Sequence, residues 1–338
     1  MAAALMFVGT SFLCSCTAIF GLDDKPLALP VEAGVPQAIL FGGFNGDDDY
    51  YLNDTWSFDG QSWTKQKPPS SPSSRAGMAM TTFAGSVLSF GGTDANQVDH
   101  AELWSFGEGS WKDLDDGTVG APPPRTLAGM ATLDGSVVVF GGYQGPLTSA
   151  AGVDISLGDM WLWNGTIWSQ LKPTTLPSAR DSMMMATLEG SVVLFGGENS
   201  DDENDTALGD TWRWDGHDWT ALHPAHSPSA RTFAGMAPVQ VNGKTVLLLF
   251  GGLDGGGNPF NDTWTWDGTD WTELHPAAKP DVRGACAMTS FNGGALVFGG
   301  IGEDGHDLSD TWLWSGSSWT QSSATGPVAR LNSSLAAL

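Results

Sequence analysis

Six of the seven arginines in the chain, Arg75, Arg125, Arg180, Arg231, Arg283 and Arg330, stand at one position of a repeating pattern. A guanidinium presents its donors in a planar fork that matches a carboxylate or phosphate bidentately, so a ring of them could bind an anion or an acidic peptide. The same pattern supplies six acids in one-to-one match: Asp54, Glu102, Asp159, Asp210, Asp262 and Asp310. Glu102 keeps the charge where its copy of the pattern otherwise drifts. Internal pairing is therefore expected for most of the arginines, with any exception near Glu102. Arginines left unpaired and solvent-facing would be the ligand-binding residues.

Other reactive groups gather between the repeats. Asp47, Asp48 and Asp49, then Asp201, Asp202, Glu203 and Asp205, then Glu303, Asp304 and Asp307 could offer carboxylate oxygens to Ca²⁺. None has the ordered spacing of a calcium loop, so solvated acidic tips are the expected role, and no cofactor is expected elsewhere. Lys and Arg number 14 against 38 Asp and Glu, a formal charge of −24. Such a surface repels nucleic acid and anionic membranes and suits cationic partners. Two of the three cysteines, Cys14 and Cys16, sit in the first apolar stretch, which excludes a disulfide framework in the remainder.

The element that must position these groups is the motif Asp210-Thr-Trp-Arg-Trp-Asp-Gly-His-Asp-Trp219. Its other copies run Asp54 to Trp63, Glu102 to Trp111, Asp159 to Trp168, Asp262 to Trp271 and Asp310 to Trp319, and the six together hold all 16 tryptophans. Five residues after each arginine comes Met80, Met130, Met185, Met236, Met288 or Leu335. A short turn follows, then an apolar run ending in Phe-Gly-Gly, at Phe41, Phe90, Phe140, Phe195, Phe250 and Phe298. Runs such as Ser136 to Phe140 are too short for helices and are bounded by glycine, which predicts buried strands. Trp212 and Trp214 alternate with polar neighbours and share a sheet face, and Asp215-Gly216 is a hairpin signal. Each unit is thus four antiparallel strands.

Successive Gly-Gly pairs lie 48 to 55 residues apart. Gly-Gly closing a second strand, followed by paired aromatics around an Asp-Gly turn, resembles the kelch repeat of β-propellers, over residues 37–338. The resemblance implies an all-β, six-bladed β-propeller of four-stranded antiparallel blades, with tryptophan packed between them. The first unit lacks an arginine strand and the last arginine is followed by eight residues only. The C-terminal strand is therefore expected to complete the N-terminal blade, with residues near Asn332 to Ala337 pairing with Ala38 to Phe41, which removes both open edges. Glu102-Leu-Trp-Ser-Phe-Gly-Glu-Gly departs from the motif and predicts an irregular hairpin in the second blade.

Alternating strand direction sorts the loops. The Asp-Gly hairpins lie at one face. The longer loops between second and third strands lie at the other, with Tyr50, Tyr51, Tyr143, His100, His223, His226, His275 and His306. The longest excursion, Gly141 to Asp159, belongs there too. In kelch domains that bind acidic peptides, arginines near the repeat position contribute to binding, which the resemblance transfers to the six arginines. Galactose oxidase, a kelch-type propeller, holds copper with Tyr, His and a Cys–Tyr crosslink. Here Cys286 stands where Met78 and Ala128 stand in other units and is expected to be a small core residue, without copper.

Residues 1–20 are apolar and uncharged and are expected to be a signal peptide, residues 21–36 a linker, and residues 37–338 the propeller. Leu13-Cys14-Ser15-Cys16 resembles a bacterial lipobox, which makes Cys16 the lipidation candidate. The expectation is an exported monomer, secreted or held at the cell envelope, with membrane contact only through that anchor. The leading function is a non-catalytic module binding a protein or glycan on the long-loop face. The alternative is an enzyme, galactose-oxidase-like or sugar-modifying like the kelch-type sialic acid epimerases, although no repeat-breaking His, Asp or Glu pair supports it.

Overall fold

The computed structural model describes residues 37–115, 120–145, 147–149, 152, 154–200 and 206–338. Cys16, the expected signal and the whole of the linker, residues 21–36, lie outside the described residues, as do Asp201, Asp202, Glu203 and Asp205. The apolar runs become central strands buried on both faces; Val192, Val193, Leu194 and Phe195 are each at most 2% exposed. Because these strands carry no polar face, they must be covered on both sides, which forces the units to stack face to face.

Among the described residues there are six four-stranded antiparallel sheets. Four are built from consecutive strands, for example Met184–Leu188, Ser191–Phe195, Thr211–Trp214 and Trp219–Leu222 in the fourth blade, and in the third a two-stranded ribbon, Tyr143–Gln144 with Ile155–Ser156, intervenes between the second and third strands. The first blade joins the two ends of the chain. Ser334–Ala337 pairs with Ala38–Phe41, in the register Ala38 opposite Ala337 and Phe41 opposite Ser334. Thr55–Phe58 and Trp63–Lys65 complete it. Inner strands contact one another in blade order and the sixth contacts the first, so the ring is closed.

Blades adhere through aromatic rings. The Phe of each Phe-Gly-Gly meets the last Trp of the next motif, with ring centroids 5.0 to 5.7 Å apart at all six junctions: Phe41–Trp111, Phe90–Trp168, Phe140–Trp219, Phe195–Trp271, Phe250–Trp319 and Phe298–Trp63. At four of these junctions the indole N–H also donates to a buried Thr hydroxyl of the preceding blade, as from Trp271 to Thr211 at 3.0 Å. Trp219 instead meets Met160 Sδ, because that blade has Met in place of the Thr. A buried indole thus keeps its hydrogen bond while its ring fills the interface.

The second-blade hairpin departs as its sequence predicts. Gly107 pairs with Ser110 around a two-residue turn, Glu108-Gly109, with both residues at positive φ. In the fourth blade Trp214 pairs directly with Trp219 across four turn residues. There Asp215 Oδ1 accepts from the N–H groups of His217 and Asp218.

Deleting residues 331–338 removes the inner strand of the first blade and uncovers the edge of Ala38–Phe41. The truncated chain is expected to melt at least several degrees lower than the full chain in thermal denaturation; an unchanged melting temperature would refute closure through this strand.

Candidate functional site: the long-loop face

The six repeat arginines form the floor beneath this face. Each guanidinium is at most 3% exposed. Arg125 Nη1 and Nη2 reach Asp159 Oδ1 and Oδ2 at 2.6 and 2.9 Å, Nη1 also donates to the Gly141 carbonyl, and Nε donates to the Pro123 carbonyl. The same pairing joins Arg180 to Asp210, Arg231 to Asp262, Arg283 to Asp310 and Arg330 to Asp54, at 2.5 to 2.7 Å. Arg75 pairs with Glu102 at 3.0 Å. All six pair, including the one at the drifted motif. The channel mouth is lined instead by residues two to four positions beyond each arginine, such as Leu127, Ser182, Phe233 and Asn332.

In five blades the acid also accepts the indole N–H of the Trp two residues on, as Asp159 does from Trp161 at 2.6 Å. Burial works to raise each of these carboxyls. The arginine hydrogen bond and charge, with the indole, outweigh it and hold Asp54, Asp159, Asp210, Asp262 and Asp310 below the usual range. The second blade is rearranged: His100 sits between Asp94 and Glu102, at 3.3 Å from each. The His100 hydrogen bond, against burial and with help from Arg75, brings Glu102 to about 2. Arg75 Nη2 turns to Ser73 Oγ, and the buried Trp104 indole nitrogen has no hydrogen-bond partner.

The Gly-Gly pairs explain themselves at this level. A Cβ on Gly141 would stand 2.4 Å from the Arg180 carbonyl oxygen, and Gly142 N donates to that same oxygen at 2.9 Å. Only glycine lets the next blade's arginine backbone approach so closely. Two residues after each arginine the chain takes a left-handed conformation, at Gly77, Leu127, Ser182, Phe233, Ala285 and Asn332. The N–H of each donates to the carbonyl of its counterpart in the preceding blade at 2.8 to 3.0 Å, and Gly77 donates to Asn332. This closed hoop of backbone bonds rims the channel. Sequence reasoning did not find it; Gly77 and Asn332, both tolerant of that conformation, were the available signal.

Above the hoop the loops between second and third strands are tied across blades by their acids. Asp307 Oδ2 accepts Gly46 N at 2.6 Å, and His306 Nδ1 lies 2.9 Å from Asp47 Oδ1, joining sixth and first blades. Asp99 Oδ2 accepts Gly145 N and the Thr148 hydroxyl at 2.8 and 2.5 Å, joining second and third. Asp181 accepts the hydroxyls of Ser156 and Ser200, both at 2.9 Å. The long third-blade loop is thereby fixed to this face, as expected. Strand counting fails for His226, whose N and Nδ1 meet Asp270 at 2.9 and 2.8 Å beside the fifth-blade hairpin. Sheet twist accounts for this, carrying the outer strands round until one blade's link meets the next blade's hairpin.

These six loops contain no lysine or arginine. Their phenols register the resulting field. Burial together with Asp94, Asp49 and Asp99 pushes the Tyr51 hydroxyl up, and burial with the 2.5 Å hydrogen bond to Asp154 pushes Tyr143 up further. Tyr50, Val98 and Leu147 are exposed at the tips of the first three blades. Val98 and Leu147 adjoin the bonded pair Asp99 and Thr148, so the two tips are neighbours. Among the described residues no group of three or more His, Cys, Asp or Glu is arranged to hold a metal. Cys286 packs against the core as expected, but it also lines the channel, among Met, Ala and Ser, with no Tyr or His beside it.

Six blades closed through a shared first blade, each pinned by an arginine–acid pair and opening into unequal loops at one end, define a β-propeller that displays a loop surface. The description "KLHDC2/KLHL20/DRC7 Kelch-repeats domain" matches residues 33–197 and 163–338, and the chain belongs to the kelch-repeat family. The chain is also similar to tRNA wybutosine-synthesizing protein 4 of Emericella nidulans, 30% identical over 144 residues, which is 39% of this chain and 12% of that protein. The protein of the same name from Aspergillus fumigatus is 31% identical over 171 residues, 45% of this chain and 15% of the relative. The chain thus matches a small part of each relative's length.

Arg231→Ala would strand Asp262 beneath the loops, so it is expected to destabilise the protein by about 3–5 kcal/mol in denaturant unfolding. A loss under about 1 kcal/mol would show the pair to be dispensable. The depressed carboxyls stabilise the fold above their unfolded values near 4, and that stabilisation is lost as pH falls through their folded values. Melting temperature is therefore expected to hold near neutrality and to drop below about pH 4, with Glu102 protonating at about 2. Asp262→Asn should start lower and fall less steeply; an acid profile identical to wild type would contradict this.

Proposed function

We propose that this chain is a non-catalytic binding module that takes a protein partner on the long-loop face, over the tips of the first three blades. The carrying observation is the division of labour in the repeat. The residues that recur in the blades, Arg, acid, Trp, Phe and Gly-Gly, are largely consumed in holding the ring. The residues that do not recur, Tyr50, Tyr51, Val98 and Leu147, stand at the loop tips among Asp47, Asp48, Asp49 and Asp94. Apolar tips in an acidic surround favour a partner segment that combines apolar and cationic side chains. On this reading the six arginines support the surface and do not meet the ligand.

The name carried by the fungal relatives belongs to much longer proteins, and only the repeat architecture is transferred from them. Export through residues 1–20, with a lipid on Cys16, is part of the proposal; the mass of the mature chain from cells, starting at Cys16 with added lipid, would bear it out, and an intact Met1 start would sink it. For the binding face, a photo-crosslinking residue at Tyr50 or Leu147 is expected to capture the partner in cells. The same residue at Ile167, exposed in the third-blade hairpin, should not. Capture from Ile167 alone would move the site to the opposite face. Saturable glycan binding abolished by Tyr50→Ala, without protein capture, would make the ligand a carbohydrate.

A further inference from the structure

One position beneath the loops carries a titratable ring in the second blade and an apolar side chain in the other five. His100 N donates to the Gly92 carbonyl, and the His100 carbonyl accepts from Arg125 N. The residues that make the same pair of backbone bonds in the other blades, to the second Gly of their own blade and the arginine of the next, are Leu52, Leu157, Leu208, Phe260 and Leu308.

The exception reorganises the acid beside it. In the other five blades the repeat acid accepts the indole N–H of Trp56, Trp161, Trp212, Trp264 or Trp312, and bonds Nη2 of its arginine. Glu102 instead turns to His100, which leaves the buried Trp104 Nε1 without a partner and Arg75 Nη2 on Ser73 Oγ. A buried N–H without an acceptor is costly, so the contact with His100 is what keeps Glu102 away. The place a returning carboxylate would take is already built.

His100 Nδ1 lies 3.3 Å from Glu102 Oε1, and Nε2 lies 3.3 Å from Asp94 Oδ2. A neutral imidazole has one donor nitrogen and one acceptor, so only the imidazolium donates to both carboxylates. Asp94 in turn builds the loop tip. Its Oδ1 accepts Asn96 N and Val98 N at 2.8 and 3.2 Å, and its N–H donates to the Val98 carbonyl. The ring therefore ties the tip to the floor. The other charged or titratable groups around it are Arg75 behind Glu102, Asp99 on the same loop, Tyr51 and Asp49 of the first blade, and Tyr143 and Asp154 of the third. Arg75 is engaged with Glu102 and Ser73, and Asp99 with Gly145 and Thr148.

We propose that the second blade is a proton-operated two-state element. With His100 charged, Asp94 and Glu102 are bridged and the Val98 tip is held. With His100 neutral, one link of the bridge is lost, Glu102 returns to Trp104 Nε1 and Arg75 Nη2 as the acids do in the other blades, and the tip is released. Val98 belongs to the partner surface proposed above, so control of binding rests on that reading. The switch itself is a property of the free chain, and either can fail without the other.

The test is heteronuclear NMR on the isotope-labelled full chain between about pH 5 and pH 8, the range in which histidine changes charge. The Trp104 indole proton is expected to move downfield as pH rises, and the heteronuclear NOE of Gln97 and Val98 to fall with the same midpoint. His100→Leu installs the residue that four other blades carry, and both signals should then stay at their high-pH values throughout. Glu102→Asp restores the acid of the other blades and should hold the Trp104 signal downfield at every pH. A Trp104 signal in the wild-type chain that does not move, or one that moves equally in His100→Leu, overturns the proposal. A Trp104 shift with Gln97 and Val98 unchanged overturns it too, because the tip would not be released.

Discussion

The structure depends on how one arginine per blade is held. Its side chain binds the acid and the first Gly-Gly carbonyl of its own blade, while its backbone carbonyl accepts from the second Gly of the preceding blade. One residue thus fixes a blade internally and joins it to its neighbour. The contact needs a buried cation, and a buried cation needs an anion, so each arginine entails an acid. It needs close backbone approach, so it entails glycine. Phe–Trp packing then closes the interface outward from the stitch. The loops above inherit a rigid floor and are free to differ, which is why sequence variation gathers there.

Much of this was legible in the sequence because the repeat states each constraint six times. Strand number, blade closure, the arginine–acid pairing and the irregular second hairpin all follow from patterns that no single copy would have carried. Faces were legible near the axis, where strand direction alternates strictly, and less so outside. His226 was misplaced because twist accumulates from inner to outer strand and no residue in the chain marks it.

The loop surface was legible only as composition. That Asp99 would clamp Gly145 and Thr148, or that Asp181 would hold Ser156 and Ser200, depends on which loops meet across blades, and that follows from tertiary position alone. The backbone hoop at the channel mouth was hidden for a different reason. It is made by main-chain groups of six unlike residues, from Gly77 to Asn332, so side-chain identity says almost nothing about it.

The joint in the first blade also governs how the ring answers a pull. Ala38 sits opposite Ala337, so the ends of the two paired strands emerge side by side. Tension applied between them peels the ladder from that end, one pair after another, and does not load all the bonds at once in shear. A ring held by Phe–Trp packing at all six junctions is therefore mechanically soft at the single blade where its ends meet.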